Sequence, residues 1–159
     1  MQTLYVRDVM SSPVVMVRPT TPLPQVNSLM REQHIRHLPV VDRDRLVGLI
    51  TFGDVHSAIP ADATRLSVFE LAYAMDRVTA ADVMHKDVIT IGVSDTLTQA
   101  AQRMLDHKIS SLPVLEYECL VGMITESDIF RAITSGLLVA ANSPDALVDA
   151  PPRTSRSGL

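Results

Sequence analysis

Tryptophan is absent from the 159 residues, and Phe and Tyr together supply only 4% of them. The interior must therefore be filled by Val, Ile, Leu and eight Met residues, the last giving adaptable packing. Cysteine occurs once, as Cys119, which excludes an intramolecular disulfide and gives no sign of an oxidising compartment. Charge of one sign is not concentrated anywhere: the net charge is −4, and no block of Lys and Arg exists to neutralise a phosphate backbone. That argues against nucleic acid as a partner. Long hydrophobic runs are missing too. The aliphatic stretch Leu137–Ala141 falls far short of the roughly 20 residues a spanning helix needs, and no secretory leader precedes Leu4. The expectation is a soluble cytoplasmic protein without a membrane partner.

What the sequence does contain is a repeat. Asp8-Val9-Met10 returns as Asp82-Val83-Met84, Leu38-Pro39-Val40 as Leu112-Pro113-Val114, and Leu46-Val47-Gly48 as Leu120-Val121-Gly122. Ile50-Thr51 with Asp54 returns as Ile124-Thr125 with Asp128. The offset is 74 each time (82 − 8, 112 − 38, 120 − 46, 128 − 54), so residues 6–59 align with 80–133 without a gap, with 19 identities in 54 positions.

Each copy reads as β-α-β-β-α. Val14–Val17 and Val88–Ile91 are short β-rich runs. Thr20 and Ser94 follow as predicted N-caps of helices that carry Leu23, Val26, Leu29 and Met30 on one face, and Leu97, Ala100, Ala101, Met104 and Leu105 in the second copy. Two strands around a polar turn come next (Leu38–Val41, then Leu46–Ile50), and a helix from Thr51 or Thr125 closes each unit. A copy of about 55 residues buries little core alone, so the two are expected to pack together. The connecting segment, 60–79, holds a predicted helix over Leu66–Met75 with Leu66, Phe69, Ala72 and Tyr73 on one stripe, facing the repeats or a second subunit. Residues 142–159, rich in Pro, Ser and Arg, read as a flexible tail.

The ordered set Asp-Val-Met, Leu-Pro-Val and Leu-Val-Gly-x-Ile-Thr-x-x-Asp, met twice, resembles the CBS domain, and the pair resembles the Bateman module. The linker Leu66-Ser67-Val68-Phe69-Glu70-Leu71 is similar to that of acetoin-utilisation-type CBS proteins. Those usually carry a further ligand-binding domain after the pair, and none is seen in this sequence. The resemblance implies an α+β fold in which two β-α-β-β-α repeats pack through their sheets with pseudo-two-fold symmetry. It also implies two clefts that take AMP, ADP, ATP or another adenosyl ligand, with S-adenosylmethionine and NAD as further candidates. A homodimer would pass the ligand's state to a regulated protein encoded elsewhere, as in energy sensing. The alternative is an adaptor that dimerises and docks a partner with empty clefts.

Thr51-x-x-Asp54 and Thr125-x-x-Asp128 each open a helix. The plain reading is a capping box. The functional one is that a carboxylate can accept both hydroxyls of a ribose, while the helix start and its Thr favour a phosphate. The resemblance favours the second reading: Asp54 and Asp128 for ribose, Thr51 and Thr125 for phosphate. Arg36 and His37 stand where basic residues of nucleotide-sensing relatives reach phosphates, whereas copy two has Ser110 and Ser111 there. Unequal clefts are expected. The base slot carried over from the family is Val14, Ile35 and Pro39 in one copy and Val88, Ile109 and Pro113 in the other. Catalysis is not expected. His34-x-x-His37 lacks a third metal ligand, Cys119 has no activating neighbour, and neither a Gly-rich phosphate loop nor Gly-x-Ser-x-Gly is present.

Overall fold

A computed structural model describes residues 3–60 and 63–137; the expected tail, 142–159, lies outside them. The first repeat gives helices α1 (Val6–Val9) and α2 (Leu23–Glu32), strands β1 (His37–Asp42) and β2 (Arg45–Thr51), and helix α3 (Phe52–Ser57). A 3₁₀ turn at Ala63–Arg65 and helix α4 (Val68–Asp76) connect the repeats. The second gives α5 (Ala80–Val83), β3 (Ile91–Gly92), α6 (Leu97–His107), β4 (Ser111–Glu116), β5 (Cys119–Thr125) and α7 (Glu126–Thr134). The class is α+β, with two copies of one unit as the repeat implies.

Each copy is built on an antiparallel hairpin, β1–β2 and β4–β5, with Leu38 opposite Ile50 and Leu112 opposite Ile124. The hairpin turns are left-handed at both central residues: Arg43 and Asp44 at φ 47° and 65°, Tyr117 and Glu118 at 48° and 65°. Two such residues twist the turn to match its strands. The expected strands at Val14–Val17 and Val88–Ile91 are shorter than predicted. Only Val17 bridges to Val40, and only Ile91–Gly92 pairs in parallel with Val114 and Leu115. The preceding residues line cavities between the repeats instead of extending a ladder.

The predicted caps Thr20 and Ser94 are also displaced. Helix α2 starts after Pro22 and α6 after Thr96. A turn takes the earlier polar residues, with the Arg18 N–H donating to Thr21 Oγ1 and the Gly92 N–H to Asp95 Oδ2. Thr96 then caps properly, exchanging bonds with Gln99.

Two apolar cores result, and each borrows from the opposite repeat. Leu23, Val26, Met30, Leu38, Val40 and Ile50 pack with Ala80, while Ile91, Leu97, Met104, Leu112, Val114 and Ile124 pack with Val6. The backbone repeats the exchange: the Ala80 N–H donates to Thr21 O and the Val6 N–H to Asp95 O, both 2.8 Å. Glycine explains two of the repeated motifs together. A Cβ at Gly48 would fall on the Met84 side chain, and one at Gly122 on Met10. Each Asp-Val-Met therefore lies over the Leu-Val-Gly of the other copy. Folding of one repeat is thus coupled to the presence of the other.

Helix α4 begins two residues later than predicted because Ser67 caps it, exchanging bonds with Glu70. It touches α2 but buries none of its residues; Phe69 is 87% exposed. Of the two coverings expected for its stripe, the repeats do not bury Phe69, Ala72 or Tyr73. No helix among the described residues is long and apolar enough to cross a membrane.

Candidate functional site

Both helices that follow the hairpins start with the same reciprocal arrangement. Asp54 Oδ2 accepts from the Thr51 N–H and hydroxyl, each at 2.7 Å, and Asp128 Oδ2 accepts from the Thr125 N–H at 2.9 Å and hydroxyl at 2.8 Å. These bonds are caps, as the plain reading requires. They do not by themselves make a site, because Thr79 and Asp82 form the same bonds on the open surface and line none of the cavities described here. Position decides.

A cavity of about 410 Å³ lies between the repeats, within the usual range for small-molecule sites. Its wall brings Val14, Ile35, Arg36 and His37 of the first repeat to Thr125, Asp128 and Arg131 of the second. Which acid shares a cleft with Arg36 was open in the sequence; it is Asp128. Arg131 adds a second guanidinium, its Nη1 donating to Asp128 Oδ1 at 3.0 Å. A second cavity, about 700 Å³, is related by the internal symmetry and lined by Thr51, Val88 and Ile109 with Leu49, Ile89, Met104, Lys86 and Lys108. Asp54 is not on its wall. Of the residues expected at the base slot, Pro39 and Pro113 are buried within the hairpins and line neither cavity. Each proline falls between two core residues of its strand, Leu38 and Val40 or Leu112 and Val114, and so lies on the strand's other face.

His37 and Glu126 line both cavities. The His37 Nε2 lies 3.1 Å from Ser110 Oγ, a hydrogen bond across the pseudo-dyad that walls one cavity from the other. Burial pushes the His37 pKa below its ordinary value and Arg36 adds to the push, with Glu126 and Asp54 opposing. Near neutral pH this imidazole is a neutral hydrogen-bonding group, and the fixed positive charge comes from Arg36 and Arg131. Burial works to raise the Asp54 carboxyl, but bonds from the Thr51 backbone and hydroxyl, then from His85, hold it below the ordinary range. His85 Nε2 sits 2.9 Å from Asp54 Oδ1. Sequence reasoning missed His85, Glu126 and the cavity role of Arg131. The alignment of His85 on Ser11 was the available signal for the first. Among the described residues no group of His, Cys, Asp and Glu is arranged to hold a metal ion.

The family model of the CBS domain matches residues 6–61 and 80–135. The chain belongs to the CBS domain family, as a tandem pair. It is similar to an acetoin utilisation protein (AcuB) from Vibrio cholerae, with 30% identity, TM-score 0.72, and coverage of 86% of this chain and 93% of the other. The CBS domain pair of protein MJ0100, in complex with 5′-methylthioadenosine and S-adenosyl-L-methionine, superposes with TM-score 0.70 at 26% identity, covering 85% and 99%. Homoserine O-acetyltransferase of Methanohalobium evestigatum is 30% identical over 131 residues, 81% of this chain; the chain spans 24% of that relative's length.

Proposed function

We propose that this chain is a non-catalytic regulatory module that binds an adenosine nucleotide in the first cavity and passes its ligand state through a homodimer. One observation carries the reading: two guanidiniums, a helix-capping Thr and a carboxylate from opposite repeats converge on one cavity that also has an apolar wall. A guanidinium grips two phosphate oxygens at once, the start of α7 offers backbone donors, and Asp128 can accept from ribose hydroxyls. Val14 and Ile35 supply the apolar side for a base. The adenosyl ligands of the MJ0100 domain pair support the ligand class.

The test is calorimetric titration with AMP, after a thermal-shift screen of AMP, ADP, ATP, NAD and S-adenosylmethionine. Arg36→Ser, which copies position 110, is expected to weaken AMP by about tenfold, the loss of one charged hydrogen-bonding partner. The salt dependence should flatten as well, while adenosine binding hardly changes. Unchanged AMP affinity and salt slope in the variant would remove Arg36 from the site.

Dimerisation is supported by apolar side chains left outside on the helices. Phe130 and Ile133 of α7 and Leu105 of α6 are exposed. Covering such a face with a second copy, about a two-fold axis, is the common closed solution. Light scattering at micromolar concentration should give twice the 17.4 kDa chain mass. The monomer mass alone would refute it.

A further inference from the structure

The two acids meet different neighbours from the opposite repeat. Position 85 corresponds to position 11 by the 74-residue offset, and the backbone agrees. His85 exchanges hydrogen bonds with Leu49 at 2.9 and 3.0 Å, as Ser11 does with Met123 at 2.8 and 3.1 Å. From this shared place the short Ser11 leaves Asp128 on the wall of the first cavity. His85 reaches Asp54 Oδ1, and His85, not Asp54, lines the second cavity.

That difference bears directly on a ribose. A cis-diol grips a carboxylate through its outward oxygen, and Asp54 Oδ2 is already filled by the two Thr51 donors. Oδ1 is the remaining acceptor, and the imidazole stands on it. Asp128 Oδ1 also holds a donor, but Arg131 comes from the same helix, is 74% exposed and itself lines the first cavity. It can turn from the carboxylate to a phosphate without leaving the site. His85 is itself 65% exposed and lines its own cavity, but an imidazole lacks the guanidinium's fork of donors for gripping a phosphate.

We infer that His85 is a selectivity residue that closes the second cavity to ribose-bearing ligands, leaving one strong nucleotide site per chain. This rests on the reading of Asp54 and Asp128 as ribose acids. Asp54 keeps 20% of its side-chain surface exposed against 7% for Asp128, so clearing His85 uncovers an acid that solvent already reaches.

The experiment is AMP calorimetry on the full chain and two variants. Wild type should take up one AMP per chain. His85→Ser, which copies Ser11, should take up two, and its melt should stay close to wild type because the imidazole is mostly exposed. His85→Gln should return to one, since its amide can donate to the same oxygen. Two equivalent sites in wild type, or one site in His85→Ser, would overturn the inference and leave the nucleotide reading of the first cavity standing. No AMP uptake by any of the three proteins would overturn both.

Discussion

Asp128→Ala is expected to abolish most AMP binding at the first cavity while costing the fold only a few degrees of melting temperature. Both effects follow from the bonds that its carboxylate makes. Toward the protein, it caps α7 through the Thr125 N–H. Losing a cap of this kind costs about 0.5–2 kcal/mol, or roughly 1–8 °C in a chain of this size. Toward the ligand, a carboxylate accepting from ribose hydroxyls makes charge-assisted bonds worth about 1.5–3 kcal/mol each. Two such bonds put the loss in affinity at about a hundredfold or more. Arg131, its partner at 3.0 Å, is largely exposed and can turn to solvent, so no buried charge is stranded. Asp54→Ala makes the comparison. It removes an equivalent cap, so its melt should fall by a similar amount, but AMP affinity should stay within about twofold of wild type because Asp54 does not line the first cavity. Equal losses of affinity in the two variants, or none in Asp128→Ala, would show that the acids are caps and nothing more. Calorimetry and a melt on each protein decide between the accounts.

The fold was legible because the sequence says the same thing twice. A constant offset of 74 residues showed that one unit occurs twice, so that each hairpin, closing helix and Thr-x-x-Asp pair read in one copy was read again in the other. Local signals were weaker guides. Thr20 and Ser94 carry good capping chemistry, yet turns closed by Thr21 and Asp95 place the helix starts two residues on. Val14 and Val88 are strong strand formers by composition, but cavity walls rather than ladders employ them.

The candidate site was legible residue by residue and not as a constellation. Arg36, His37, Thr125 and Asp128 could each be singled out, but their union depends on how the copies cross, and a repeat alignment has no record of crossing. Equivalence in sequence also hid the inequality of the acids. Asp54 and Asp128 are identical in their own motifs, and what separates them is the residue that the other copy presents, His85 against Ser11. In the repeated motifs the crossing leaves a trace at the glycine of Leu-Val-Gly, whose purpose is unreadable until Met10 and Met84 are seen lying over it.

Gly122→Val should therefore destabilise the protein, although strand logic alone gives the opposite sign. Valine is favoured in strands, and replacing glycine there restricts the unfolded chain, so an unobstructed position would gain from the change. Gly122 does not need glycine for its backbone angles, as its φ is not among the positive values in this chain. It needs the space. A Cβ would meet the Met10 side chain and come within 3.3 Å of the Ser11 carbonyl oxygen. Overpacking of this sort costs about 1–3 kcal/mol, which corresponds to a fall of roughly 2–12 °C. The displaced segment also carries Ser11, which bonds to Met123 and lines the first cavity, so AMP affinity should drop with stability. Met10→Ala supplies the test, because it removes most of the obstruction and leaves the Ser11 oxygen. In a double-mutant cycle the pair should lose less than the sum of the singles, by about 0.5 kcal/mol or more. Strictly additive melts, or a Gly122→Val protein as stable as wild type, would mean that Asp-Val-Met and Leu-Val-Gly are conveniences of each copy and not the surfaces by which the copies interlock.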